Sequence, residues 1–258
     1  MILVVLEKIG KWCLREERMI NAIIPARGGS KGIPKKNIIK IGNHPLIAYS
    51  IKAAQLCQTI DRIIVSTDDE EIANISLKYG AEVPFIRPAE YATDSSSDLG
   101  FLKHYFENIG GNEVALLRPT TPFRDPCFMD RVIKDYFDNP MMTEITGLRT
   151  AEQMGQPIYK MFEIDNNGYF KKIFCDFNGI IDYTNLPRQG FPKAYNPNGH
   201  IDIVKRNTIA MGSVFGDKIA ACISEKVVDI DDSHDVKIAC LIVGSDLDYL
   251  SKHMKEIK

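Results

Sequence analysis

Apolar positions follow two rhythms along this chain. Short, largely aliphatic or β-branched runs stand at residues 20–25 (INAIIP), 61–67 (DRIIVST), 82–86 and 113–117, as expected of strands buried on both faces. Between them, apolar residues recur at helical spacing. Leu99, Leu102 and Phe106 form one stripe, and Met129, Val132, Ile133, Tyr136 and Phe137 form another. Residues 68–79 read as a helix, with Asp68 at the cap and Glu71 in the capping-box position. Asp125 followed by Pro126 opens the helix that carries Met129 to Phe137. This alternation predicts an α/β fold: a doubly wound, mostly parallel sheet with helices on both faces.

The rhythm breaks near Asn139. Residues 143–198 are richer in aromatics and in turn signals such as Asp165-Asn166-Asn167-Gly168 and Phe177-Asn178-Gly179, and read as a β-rich insertion. The main pattern resumes with strands predicted at 199–205 and 227–230 and a terminal helix from about Ser233. Residues 1–18 read as an appendage to a single domain over 19–258. At 258 residues, one large domain with an insertion fits the usual size range.

Composition narrows the function classes. The apolar share is 45% and the charged share 26%, globular averages that exclude a disordered or fibrous chain. A net charge of -2 argues against a dedicated nucleic-acid binder, which carries a basic surplus. Six cysteines are scattered without a C-x-x-C pair, which favours buried thiols in a reducing compartment over zinc or disulfides. No apolar run reaches the roughly 18–20 residues of a membrane span, and the apolar start of the chain is shorter than a signal-peptide core. The expectation is a cytoplasmic protein.

The most informative stretch is INAIIPARGGSKGIPKKN, residues 20–37. A buried strand runs into a loop with Gly28, Gly29 and Gly32 among Arg27, Lys31, Lys35 and Lys36. Ligands of open α/β sheets bind beyond the carboxyl ends of the strands. Glycines there let backbone amides approach phosphate oxygens, and cations neutralise the charge. The loop is neither G-x-G-x-x-G nor a Walker A sequence; an ordinary basic turn is the alternative. Late in the chain, Asp229 and Asp231 stand at i and i+2, which on a strand would project both carboxylates to one side. Spacing alone also allows a solvated acidic turn, since Asp232 and Asp235 lie beside them.

The loop A-R-G-G-S-K-G-I-P-K-K-N resembles the signature of the CMP-sialic acid synthetases, the acylneuraminate cytidylyltransferases. Further stretches follow in the family's order: Ser66-Thr67-Asp68-Asp69; Arg87-Pro88-Ala89-Glu90 with Asp94; Leu117-Arg118-Pro119-Thr120-Thr121-Pro122; Pro197-Asn198-Gly199; and Asp229-Ile230-Asp231. The resemblance runs from Ile20 to the C-terminal helix. It implies a nucleotidyltransferase fold and Mg²⁺-dependent transfer of CMP from CTP to the anomeric hydroxyl of a nonulosonic acid, with release of pyrophosphate. It also implies a homodimer in which the inserted region of one subunit lies near the site of the other.

By the same resemblance, Arg27 and Lys36 grip the triphosphate, with Ala26, Gly28, Lys31 and Asn37 in the same nucleotide-binding loop. Arg87 and Ser97 address the nucleobase, and Asp229 and Asp231 hold the metal. Arg118, Arg188 and Asn198 face the sugar acid, Arg188 opposing its carboxylate. Three positions depart from the family's pattern. Asp98 stands where relatives often have serine, Arg118 where glutamine is typical, and Asn196 where some members have arginine. The departure at Asp98 bears on recognition of the cytosine, and those at Arg118 and Asn196 imply a sugar other than N-acetylneuraminate, such as legionaminic or pseudaminic acid. The alternatives are a CMP-Kdo synthetase, acting on an eight-carbon acid, and a nucleotide-binding module without catalysis.

Overall fold

The computed structural model describes residues 19–30, 32–248 and 250–254. The appendage over 1–18 and Lys31 lie outside the described residues. In chain order the elements are β1 (Ile20–Pro25), β2 (Lys40–Ile41), β3 (His44–Pro45), α1 (Leu46–Leu56), β4 (Ile60–Ser66), α2 (Glu70–Lys78), α3 (Asp98–Asn108), β5 (Glu113–Leu116), α4 (Pro126–Asp138), β6 (Gly147–Gln153), β7 (Phe162–Ile164), β8 (Phe170–Lys172), β9 (Tyr195–Lys205), α5 (Arg206–Ala210), β10 (Ile219–Ile223) and α6 (Ser233–Ile242).

Six strands form one sheet in the order β10-β6-β9-β5-β1-β4. The β1–β4, β1–β5 and β6–β10 ladders are parallel, and only β9 runs against its neighbours β5 and β6. Side chains of β1 alternate across the sheet. Ala22 and Ile24 join one core with Leu46, Ile47 and Ile51 of α1 and Met129, Val132 and Ile133 of α4. Ile23 joins the other core with Phe101, Leu102 and Tyr105 of α3 and Ile209 of α5. Helices therefore cover both faces, and the fold is a mostly parallel, doubly wound α/β sheet.

Asp125 caps α4 as its sequence predicts: its side chain accepts from the Cys127 amide, with Pro126 in the first turn. The α2 cap differs by one residue. Asp69, not Asp68, accepts from the Ile72 amide, which leaves the Asp68 carboxylate for another task. Residues 82–86 make only two isolated parallel bridges, Ile64↔Glu82 and Thr67↔Ile86. Residues 227–230 form no strand. Their apolar character serves core packing through Ile230, whose amide bonds the Thr120 carbonyl at 2.8 Å, and the sheet edge is taken by β10 instead. Asp229 and Asp231 thus lie on a loop, and the predicted strand alternation does not apply to them.

The β-rich excursion leaves the sheet at the end of β6 and returns through β9, whose first half pairs back onto β6 from Ala151↔Pro197 to Gln153↔Tyr195. Between them lie the β7–β8 hairpin and a ring cluster of Tyr159, Phe174, Phe177 and Phe191, in which Tyr159 and Phe191 stack at 5.3 Å.

Candidate active site

The loops that leave the carboxyl edge of β1, β4 and β5 enclose a cleft of about 560 Å³. Its wall brings together Arg27, Lys36, Asn37, Arg87, Arg118 and Asp231 from the sequence-predicted residues, joined by Thr93, Asp94, Ser96, Asp98 and Thr120. The glycine loop and the late aspartate loop touch directly. A β-carbon on Gly32 would stand 3.1 Å from the Asp231 carbonyl oxygen.

Within the glycine loop each residue has a distinct place. Ala26 is fully buried and its amide bonds the Ser66 carbonyl at 2.9 Å, so it extends the β1–β4 ladder and does not line the cleft. Arg27 reaches across the cleft mouth to the Thr93 carbonyl at 2.5 Å and to Asp94 at 2.9 Å. The Gly28 amide donates to Asp68 Oδ1 at 2.9 Å. Asn37 is buried and donates to the Arg27 carbonyl at 2.8 Å, bracing the loop from beneath. Lys35 takes a left-handed turn, φ 52° and ψ 35°. Its amine goes outward to Glu71 at 2.5 Å, while that of Lys36 goes to the Ile230 carbonyl at 3.0 Å and Asp231 Oδ1 at 3.2 Å.

Arg87 is buried on the far wall. Its guanidinium donates to both the hydroxyl and the carbonyl of Ser66 and lies 4.9 Å over the Phe101 ring. Burial pulls its pKa down to about 10, and Asp68 and Asp98 offset part of that cost. Ser97 occupies the cap position of α3, is exposed and does not line the cleft; Ser96 and Thr93 face it instead. Arg118 is clamped at 2.8 Å by Asp202 and at 2.5 Å by Asp98. Burial works against its charge, and these two carboxylates more than restore it, so its pKa is raised. Asp202 is fully buried and also lies 3.6 Å from Arg149 Nε.

Two predicted sugar residues stand elsewhere. Asn198 is buried, and its amide donates to Ser224 Oγ at 2.6 Å and accepts from the His200 amide at 3.3 Å. Its hydrogen bonds serve the protein itself, because the turn at Gly199 (φ +64°) places it beneath the surface. Arg188 lies in the excursion, lining a separate hollow of about 420 Å³ with Lys193 and Phe191. Asp229 is exposed and outside the cleft wall, where Asp231 alone of the pair appears. His200 is buried against the Phe128 ring at 4.6 Å, its Nε2 accepting from the Asp125 amide at 3.0 Å. Burial, with Arg124 nearby, lowers its pKa to about 4 and keeps it neutral at pH 7.

Arg124 escapes sequence reasoning. It is wholly buried, and its fork donates to the His200 carbonyl at 2.7 Å, the Arg118 carbonyl at 2.6 Å, the Gly199 carbonyl at 3.0 Å and Ser50 Oγ at 2.9 Å, as well as to the Thr121 carbonyl. Burial pulls its pKa down to about 9, still charged at neutral pH. It ties the 118–124 loop to β9 and so fixes the backbone that carries Arg118. Nothing in the local sequence separates it from a surface arginine.

The sequence profile of the Cytidylyltransferase family matches residues 21–168. The chain is 34% identical over 227 residues to an N-acylneuraminate cytidylyltransferase of Escherichia coli, a match covering 86% of this chain and 52% of the other. It therefore spans about half the length of that relative. It is 32% identical over 244 residues to a CMP-N,N'-diacetyllegionaminic acid synthase of Campylobacter jejuni, covering 86% and 93% of the two chains. Among solved structures, a CMP:2-keto-3-deoxy-manno-octonic acid synthetase complexed with CTP shares the fold at TM-score 0.66 and 14% identity, over 87% of this chain and 98% of that one.

Proposed function

Because this chain belongs to the cytidylyltransferase family, a family of nucleotidyltransferases, we propose that it transfers the CMP moiety of CTP to the anomeric hydroxyl of a nonulosonic acid and releases pyrophosphate. The observation that carries the reading is the meeting of Lys36, Arg27 and Asp231 on one cleft at the carboxyl edge of the sheet. The anomeric oxygen attacks the α-phosphorus as the bond to the β-phosphate breaks. Such chemistry asks for alignment and charge neutralisation more than covalent help. Lys36 and Arg27 supply positive charge from opposite sides of the loop. Arg87 and Phe101 offer a guanidinium and an aromatic wall on the nucleobase side.

Magnesium is the metal of this reading. Asp231 presents a hard oxygen donor to the cleft and Asp229 lies two residues away. Mg²⁺ characteristically takes one or two carboxylates and completes its shell with water and substrate phosphates, so this donor set fits it. Among the described residues no three His, Cys, Asp or Glu side chains form a cage, leaving the nucleotide to supply the other anionic ligands. When bound, the ion would polarise the α-phosphate.

The acceptor side rests on Arg118, whose guanidinium lies on the cleft wall. Arg188, in the excursion, reaches an acceptor only if a second subunit presents it, and we include a homodimer in the proposal. The hairpin region exposes Ile164, Tyr169, Phe170 and Ile181, an apolar surface of the kind subunit contacts cover. Light scattering tests that assembly. The five described cysteines are free thiols, but against the expectation of buried ones only Cys57 is buried, while Cys127, Cys175 and Cys240 are exposed; a reducing, cytoplasmic setting is part of the proposal, and no helix among the described residues is long and apolar enough to cross a membrane.

The deciding experiment follows pyrophosphate release from CTP and Mg²⁺ over a panel of sugar acids. Turnover with legionaminic, pseudaminic or N-acetylneuraminic acid is expected. Turnover with Kdo alone would replace the acceptor, and CTP binding without turnover on any acid would overturn the catalytic reading.

A further inference from the structure

The end of β4 carries Ser66-Thr67-Asp68-Asp69, a run to which the reaction above gives no task. Its side chains turn toward the site-forming loops. Ser66 holds Arg87, and Thr67 Oγ1 accepts from the Asp69 amide at 3.1 Å. Asp69 caps α2 and presses on Gly28, where a β-carbon would stand 2.8 Å from its Oδ2. Asp68 Oδ1 accepts the Gly28 amide at 2.9 Å. Since β1 and β4 are parallel neighbours paired through Pro25↔Ser66, their loops leave the sheet side by side, and this bond ties one to the other.

We propose that Asp68 is a positioning residue for the phosphate-binding loop: by holding the Gly28 amide it fixes the path of the chain through Arg27 to Ser30. The inference rests on the reading of that loop as the seat of the CTP phosphates. An amide already donating to a carboxylate is a strut, not a phosphate ligand. Of the described residues of this loop, Arg27, Ser30 and Gly32 line the cleft and Gly28 does not. The phosphates therefore sit against Ser30, Gly32 and the cations, and Gly28 serves the loop's shape.

The test compares wild type, Asp68→Ala and Asp68→Asn for kcat, for the KM of CTP and for the affinity of pyrophosphate measured by calorimetry. Asparagine keeps the oxygen acceptor and removes the charge beside Arg87. Asp68→Ala is expected to raise the KM and weaken pyrophosphate binding about tenfold or more, with kcat changed less than about threefold. Asp68→Asn is expected within about threefold of wild type on every measure. An alanine variant as good as wild type overturns the proposal, and so does an asparagine variant as poor as alanine, which would assign Asp68 a charge role. Hydrogen exchange on the wild-type protein decides the matter even if Asp68→Ala fails to fold: the Gly28 amide should be protected well beyond that of Gly29, and an unprotected Gly28 amide overturns the strut. Failure of wild type to turn over CTP would sink the functional reading alone, because the pyrophosphate titration and the exchange experiment read the loop directly.

Discussion

Lys36 and Asp231, separated by 195 positions in the chain, meet at 3.2 Å on the wall of the cleft. The ammonium is largely covered while the carboxylate stays open to solvent, so the pair presents one fixed cation and one free anion to whatever binds there. Asp231 contributes little packing. Asp231→Asn should therefore leave the melting temperature unchanged while lowering pyrophosphate release by about a hundredfold or more, the scale of a lost transition-state contact. Unchanged turnover would remove Asp231 from the site.

Arg124 carries a stability prediction. Replacing it with methionine removes the donor from the buried carbonyls of His200 and Thr121, from the part-buried carbonyls of Arg118 and Gly199 and from the Ser50 hydroxyl at once. Each unmet buried acceptor costs about 1–3 kcal/mol, so Arg124→Met should lower unfolding free energy by at least about 3 kcal/mol in urea titrations. Arg124→Lys should recover little of this, because a point ammonium cannot reproduce the planar fork.

Asp202 and Asp98 share Arg118 unequally. Asp202 is buried, and Asp202→Ala would take the counter-charge from Arg149 and leave Arg118 with Asp98 alone, a loss of about 3–5 kcal/mol by analogy with broken buried pairs. Asp98 is partly exposed, and Asp98→Ala should spare stability. It should instead raise the KM for the sugar acid about fivefold or more with the KM for CTP unchanged, because Arg118 loses one of the two carboxylates that orient it. A rise in the KM for CTP instead would move Asp98 to the nucleotide.

His200 gives stability a pH dependence with a defined sign. Its folded pKa is depressed to about 4 by burial, against 6.5 for the unreacted imidazole. Between those values the unfolded chain holds a proton that the folded chain does not. The contribution is complete above pH 6.5 and is lost as pH falls toward 4, amounting to about 3 kcal/mol at 1.36 kcal/mol per unit. Urea titrations at pH 7.5 and 4.5 should show that fall in wild type and a smaller one in His200→Phe.

Local chemistry made much of this legible. The Asp125-Pro126 start of α4 needs only the next turn of chain, and the glycine loop follows a strand whose apolar run is unmistakable. Where several partners compete, sequence reasoning lost its grip. Asp68 and Asp69 are equally good helix caps on paper, and the choice between them is made by Gly28, forty residues earlier. Asn198 reads as a sugar ligand by its resemblance to the family's Pro-Asn-Gly asparagine, yet Ser224 and His200 already use its hydrogen bonds. Residues 227–230 have the apolar character of a strand, but Ile230 uses it to plug the core beside Thr120. Arg124 is the extreme case: its role exists only once the 118–124 loop and β9 lie together.

The excursion begins and ends on adjacent strands that pair with each other, with the Met154 amide closing on the Ala194 carbonyl at 2.9 Å just past Gln153↔Tyr195. Residues 155–193 are thus a cassette with matched ends. If the excursion carries the acceptor and subunit contacts proposed above, exchanging that cassette between relatives is expected to alter which acid is welcomed and which neighbour is recruited, with the glycine-loop half of the fold left as it is.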